Sequence, residues 1–276
     1  MGLLKWPGAK WSIGKKIVSL FPEHKIYVDA FVGSGATFFL KDPSCNEILN
    51  DLDGDIVNFF TCLRDKPEEL AVLMALTPCS REEYKRSYDR EGCSDLERAR
   101  RFIIRCNMAR AGMQYYSSAW RHAGPVRAAV DRQAVSGPWS RLSDEIITAA
   151  ERLKDAEIEQ TDALQLIEKY NHPDCLIYAD PPYLLSTRRQ RYYNVEMETD
   201  QQHEELLRTL TKHTGPVVLS GYDSDLYNDY LSSWARYEID AVAEQGKKRT
   251  EIVWVNRADR QMSLSDYAAG ITGPSD

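Results

Sequence analysis

The chain has 276 residues, 43% of them hydrophobic and 28% charged, with a formal net charge of −7. That leaves room for one large or two small domains with a real core. It argues against a chain that is basic throughout, and no apolar run approaches the roughly 18 residues of a membrane span. The N-terminal Met1-Gly2-Leu3-Leu4-Lys5-Trp6-Pro7 lacks the apolar core of a signal peptide. Cys45, Cys62, Cys79, Cys93, Cys106 and Cys175 are scattered, with no C-x-x-C pair and no histidine at ligand spacing. The expectation is a reducing cytoplasm, no disulfide frame and no zinc or other metal site.

Residues 5–16 open with a loop rich in Gly, Lys and Trp, which suits an anionic or zwitterionic small ligand, and lead into a helix ending near Phe21-Pro22. Tyr27-Val28-Asp29-Ala30-Phe31 reads as a buried strand, followed by the turn Val32-Gly33-Ser34-Gly35-Ala36 and the first turns of a helix. Glu47-Ile48-Leu49-Asn50-Asp51 reads as a second strand ending in an acid, 18 residues after Gly33. Strand, Gly-x-Gly turn, helix, strand, acid is the order of the nucleotide-binding βαβ unit, in which the acid accepts from ribose hydroxyls. The full G-x-G-x-x-G of a pyrophosphate binder is missing, so a nucleoside without phosphates is the expected ligand.

From Asp53 to about Asn107 the pattern is helical, with Pro67 at a first helical position and Ser80-Arg81-Glu82-Glu83 as a capping box. Leu96 to Met108 places Phe102, Ile103, Ile104 and Cys106 inward and the arginines outward. Between residues 98 and 141 lie nine arginines, among them Arg105, Arg110, Arg121 and Arg127, against Asp131 alone. Glycines, prolines, rings and amides are mixed with them from 109 to 141, as on a DNA-reading surface. The competing explanation is internal pairing with the acidic remainder of the chain.

A helix resumes at Ser143, and Ile158-Glu159-Gln160 is a short strand ended by Thr161-Asp162. The apolar run Cys175-Leu176-Ile177-Tyr178-Ala179 then leads into Asp180-Pro181-Pro182-Tyr183. A strand that ends in a carboxylate, two prolines and a ring is a rigid polar step beside a flat platform. Proline has no N–H, so neighbouring carbonyls are free to accept. Such a step could hold an exocyclic amino group on a planar base; it could also be only a strand closed by a turn. A polar loop over 184–195, a helix over 200–212 and a buried strand over 216–220 follow. Strands at 237–242 and 251–255 flank the basic turn Gly246-Lys247-Lys248-Arg249, and a tail begins after Arg260. Alternating strands and helices predict an α/β fold, a doubly wound, mostly parallel sheet with ligands beyond the carboxyl ends of its strands. Gly33, Asp51, Asp162 and Asp180 should converge there.

On Lys5-Trp6-Pro7-Gly8-Ala9-Lys10, Phe31-Val32-Gly33-Ser34-Gly35, Asp51, Thr161-Asp162 and the complete Asp180–Tyr183 motif, the chain resembles the Dam-like (D12 class, alpha group) DNA adenine-N6 methyltransferases. Ala9 replaces a glycine of the family's first motif, and the match is poor over 109–141, where the family carries target recognition. The resemblance implies a Rossmann-like methyltransferase fold, an S-adenosylmethionine cofactor and a flipped-out adenine in double-stranded DNA, in a setting such as restriction–modification. It implies a catalytic role for Asp180, Pro181, Pro182 and Tyr183. It implies a cofactor site at Trp6, Lys10, Phe31, Gly33, Gly35, Asp51, Asp162 and Asp180, with Asp29 near the amino group of the methionine end. Phosphate contacts are expected from Arg105, Arg110, Arg121, Arg127, Lys247, Lys248 and Arg249. The implied division is a catalytic domain over 1–54 and 156–260, a target-recognition insert over 55–155 standing above the strand ends, and a tail over 261–276. Transfer to cytosine N4, an RNA or protein-amide acceptor, and a DNA-binding homologue without activity stay open on the sequence.

Overall fold

A computed structural model describes residues 2–89, 91–109, 120, 139–187, 191, 193–242 and 248–257, with the side chains of Val242 and Lys248 left aside. Seven strands form one sheet: β1 (Ile26–Asp29), β2 (Asn46–Asn50), β3 (Glu157–Glu159), β4 (Cys175–Ala179), β5 (Val217–Gly221), β6 (Ala235–Val242) and β7 (Lys248–Val255). Their order is β3-β2-β1-β4-β5-β7-β6. The first five pair parallel, and β7 runs antiparallel to both β5 and β6. The expected doubly wound, mostly parallel sheet is therefore present. Strand order reverses between β1 and β4, which places a crevice at the carboxyl ends of these two strands.

Strand composition follows from burial on both faces. Every residue of β4 and β5 is buried, so these segments read as continuous apolar runs. Alternation divides the core. Tyr27, Leu49, Leu176, Val218 and Val253 face one layer; Val28, Ile48, Ile177, Leu219 and Trp254 face the other. The second layer consists of α8 (Ala163–Lys169), α9 (Asp200–Lys212) and α10 (Asp225–Tyr230), numbered after the first-layer helices that precede them.

The first layer holds α1 (Gly14–Val18), α2 (Ala36–Leu40), α3 (Gly54–Asp65), α4 (Pro67–Leu76), α6 (Asp95–Met108) and α7 (Leu142–Leu153), with α5 (Arg81–Arg86) packed outside α6. Ile56, Phe59, Leu70, Phe102 and Ile146 share one apolar cluster with the sheet residues. Of the 55–155 segment, expected as an insert above the strand ends, the described helices α3, α4, α6 and α7 join the layer on this face; residues 110–119 and 121–138 lie outside the described residues. Only part of the expected capping box at Ser80 forms. Ser80 Oγ accepts from the Glu83 N–H at 3.1 Å, but the Glu83 carboxylate turns to Arg100 at 2.8 Å. A complete box stands at Thr199 and Gln202, opening α9. All six cysteines are free, and no helix among the described residues is long and apolar enough to cross a membrane.

Candidate active site

A cavity of about 240 Å³ opens at the carboxyl ends of β1 to β4. Trp6, Lys10, Phe31, Gly33, Asp51, Asp162, Asp180 and Pro182 line it, so the strand-end acids and the glycine turn do converge. Asn50 ties three strand ends together beneath it. Its Nδ2 donates to the Ala30 and Thr161 carbonyls, both at 3.1 Å, and its Oδ1 accepts from the Thr161 N–H at 2.9 Å.

One end of the cavity is built from main chain. Gly33, which lines the cavity, and Gly35, which does not, have φ of +49° and +68°, a region that disfavours residues with a Cβ. A Cβ on Gly33 would also stand 3.0 Å from Trp6 Nε1. Asp51 accepts from the Gly33 N–H at 3.1 Å and, with its other oxygen, from the Asp53 N–H at 3.0 Å. Burial pushes its carboxyl up to about 7 in spite of these donors. Asp162 caps α8, with Oδ1 accepting from Leu164 and Gln165 N–H at 3.0 and 3.2 Å. Across the mouth, Tyr193 donates its hydroxyl to the Pro7 carbonyl at 3.2 Å, bringing the loop that carries Val195 and Met197 over the N-terminal turn. Tyr193, Asn50 and Met197 were not assigned to the site from the sequence: Tyr193 is one ring in a polar loop, Asn50 the polar end of a buried strand and Met197 a lone apolar residue, and none carries a signature of its own.

The other end is built from side chains. Asp180 Oδ2 lies 2.8 Å from Lys10 Nζ, and Asp180 Oδ1 accepts from the Tyr183 hydroxyl at 2.9 Å. That hydroxyl also contacts Glu251 on β7, and Lys10 lies 3.4 Å from Glu251. Pro181, which is buried, and Tyr183 do not line the cavity; the Tyr183 ring meets Tyr222 edge-on at 4.5 Å between centroids. Glu251 is a participant that the sequence reading missed. It sits some 70 residues beyond the motif, in a strand that carries no motif of its own.

The two charged candidates for the methionine end differ. Lys10 lines the cavity, with its ammonium directed to Asp180, Glu251 and, at 2.8 Å, the Gly8 carbonyl. Burial alone would lower its pKa, but the two carboxylates outweigh burial and raise it. Asp29 is 1% exposed and does not line the cavity. Its Oδ2 accepts from the Tyr27 and Thr37 hydroxyls at 3.0 and 3.1 Å, and burial pushes its carboxyl up to about 7.

The DNA-contact assignments divide differently. Arg105 is 2% exposed, pairs with Asp55 at 2.9 Å and also donates to the Ser87 carbonyl, so it is a core contact that cannot reach a phosphate. Its neighbours Arg100 and Arg101 pair with Glu97, both at 2.6 Å. On α6 the internal-pairing reading holds, through acids that lie outside the stretch counted for charge. Arg110, Arg121, Arg127, Lys247 and the Lys248 side chain lie outside the described residues. Arg249 is exposed and donates to the hydroxyl of Tyr222, the ring packed on Tyr183, at 2.7 Å.

Comparison with known proteins bears on the chemistry. A family model described as D12 class N6 adenine-specific DNA methyltransferase matches residues 6–245. A Type II methyltransferase, M1.LlaDCHI of Lactococcus lactis subsp. cremoris, is 25% identical over 91% of this chain and 94% of its own. A DNA N-6-adenine-methyltransferase of Escherichia phage P1 is 27% identical over 66% of this chain but only 24% of its own. A DNA adenine methylase of Vibrio cholerae serotype O1 is 35% identical over 24% of this chain and 23% of its own. The family match spans the glycine turn, Asp51, Asp162 and the Asp180 step alike, and with them nearly the whole sheet. On that match the chain belongs to the D12 class of N6 adenine-specific DNA methyltransferases.

Proposed function

We propose that the cavity joins two substrates end to end, S-adenosylmethionine at the Asp51 end and an adenine extruded from duplex DNA at the Asp180 end. The observation that carries this reading is the placement of a main-chain nucleoside cradle and a side-chain carboxylate step in one continuous cavity. The fit of the donor rests on the Asp51 end. The positive-φ turn at Gly33 leaves space that a Cβ would fill, and Asp51 and Asp162 offer acceptors at the wall. Trp6, Phe31, Gly33, Asp51 and Asp162 would hold the donor, with Gly35 setting the shape of the turn. When bound, it supplies a methyl group on a sulfonium, a strong electrophile with a neutral leaving group.

The work left to the chain is orientation and polarisation. Adenine N6 is a poor nucleophile because its lone pair is delocalised into the ring. Asp180 accepts one N6 hydrogen and the Pro181 carbonyl the other, which favours a pyramidal nitrogen with its lone pair directed at the methyl carbon. Lys10 and Tyr183 hold the Asp180 carboxylate in place. Pro182, which lines the cavity, supplies apolar surface for the extruded ring, whose unstacking costs about a few kcal/mol. Arg249 grips a phosphate beside the opening, and Arg110, Arg121, Arg127, Lys247 and Lys248 extend that grip. Family membership favours adenine over cytosine N4, RNA or a protein amide. The Type II name of the Lactococcus relative supports a restriction–modification setting.

The test is to incubate the protein and S-adenosylmethionine with unmethylated duplex DNA and identify the modified nucleoside. N6-methyladenine is the expected product. N4-methylcytosine, or no modified base, would overturn the reading.

A further inference from the structure

Glu251 belongs to none of the motifs, yet it closes the catalytic step from behind. It is 5% exposed, accepts from the Tyr183 hydroxyl and lies 3.4 Å from Lys10 Nζ. The same hydroxyl reaches Asp180 Oδ1 at 2.9 Å, so one phenol bridges two carboxylates. The cluster holds one ammonium against these two acids. With both ionised, it carries one negative charge in excess, which is a vacancy for one proton. The charged and titratable groups facing Glu251 are Lys10 from the N-terminal loop, Asp180 and Tyr183 from the step, and Tyr178 from β4. On β7 itself Arg249 precedes it by two residues and is directed to Tyr222.

The proposed reaction produces one proton. The N6 lone pair forms the new N–C bond, the S–C bond breaks with its electron pair left on sulfur, and the positive charge passed to the base is relieved by loss of an N6 hydrogen. We propose that this proton comes to rest on Glu251, passed from Asp180 through the Tyr183 hydroxyl. One N6 proton moves to Asp180. That proton and the Tyr183 hydroxyl proton then each shift one place. Asp180 is left ionised, Tyr183 neutral and Glu251 protonated, and the thioether and the methylated base leave without charge. The assignment rests on the reading of the site given above. Burial raises the Glu251 carboxyl above the usual range, as does the neighbouring Asp180 charge, with Lys10 opposing; this direction suits an acceptor. Glu251 acts through Tyr183 and is a positioning and proton-accepting residue that need not touch the base.

The test is the single-turnover rate of N6-methyladenine formation on unmethylated duplex DNA, measured with saturating donor between about pH 5 and pH 9. Glu251→Gln keeps the shape and the acceptor for the Tyr183 hydroxyl but cannot take up the proton. It is expected to slow transfer on the order of 10²-fold and to lose the acid limb that wild type shows, with donor affinity retained; Glu251→Asp should recover the limb. Infrared titration of the ligand-free protein should show a protonated-carboxyl band that the Gln variant lacks. A Gln variant with the wild-type rate and pH profile would overturn the assignment. So would a slower variant that keeps the limb, a parallel loss of donor binding, or identical infrared titrations. A wild-type protein that forms no N6-methyladenine would instead bring down the reading of the site, and this assignment with it.

Discussion

The two ends of the cavity hold their carboxylates in opposite ways. Asp51 is fixed by main-chain N–H groups from Gly33 and Asp53, both within 20 residues of it. Asp180 is fixed by Lys10 and Tyr183, themselves tied to Glu251, so that residues from both termini of the chain meet at one point. Main-chain donors cannot be mutated away and set a fixed shape, which suits a ligand that is the same at every turnover. A side-chain network can shift protons and partners, which suits the end where bonds change. Asp180 can be removed without stranding Lys10, because Glu251 still pairs with it; this separation makes the comparison testable.

The largest expected effect is at the side-chain end. Asp180→Ala should lower single-turnover methyl transfer by about 10³-fold, as loss of a preorganised polar group at a reacting atom does. Near-normal turnover in that variant would rule out the scheme. Next comes the core arginine that the sequence placed on the DNA surface. Arg105→Met removes the partner at 2.9 Å from the buried Asp55 carboxylate, whose pairing with Arg98 is longer, at 3.5 Å. It should destabilise the fold by roughly 3–5 kcal/mol in urea denaturation. The salt dependence of DNA binding should not change; a changed slope would return Arg105 to the DNA-contacting residues.

Asp29 gives a pH signature. Its folded carboxyl is pushed up to about 7 by burial, against roughly 4 in an unfolded chain. An acid with a raised folded pKa favours folding most when protonated. Wild-type stability should therefore fall as pH rises from about 4 to about 7 and level off above, by an amount on the order of a few kcal/mol. Asp29→Asn should lack that part of the slope, and parallel curves for the two proteins would refute the shift. The smallest effects are at single surface contacts. Asp162→Ala should lose the α8 cap, about 0.5–2 kcal/mol of stability, together with donor affinity. Arg249→Ala should leave stability within about 0.5 kcal/mol and reduce the slope of log affinity against log salt by about one.

The fold was largely legible in the sequence because its information is local. Buried strands such as Cys175–Ala179 are uninterrupted apolar runs, and Gly33 with Asp51 follows the spacing a βαβ unit requires. The Asp180 step was legible because two prolines and a strand end fix its geometry within four residues. What failed was pairing across the chain. Counting charge from residue 98 to 141 missed Asp55 and Glu83 and began one residue past Glu97, and these acids neutralise Arg100, Arg101 and Arg105. The Lys10–Glu251 pair could not be read either, because Glu251 is 241 positions away, in a strand with no motif of its own. Helical periodicity placed Arg105 outward, since a buried arginine is visible only once its carboxylate is in place.

The most direct measurement of the two-ended cavity is calorimetric titration of S-adenosylmethionine into Asp180→Ala and Asp51→Ala, side by side with wild type. Loss of an acceptor worth one charged hydrogen bond should weaken Asp51→Ala by about tenfold or more, while Asp180→Ala stays within about threefold of wild type. Equal losses in the two variants, or undiminished binding by Asp51→Ala, would contradict the division of the cavity into a donor end and an acceptor end.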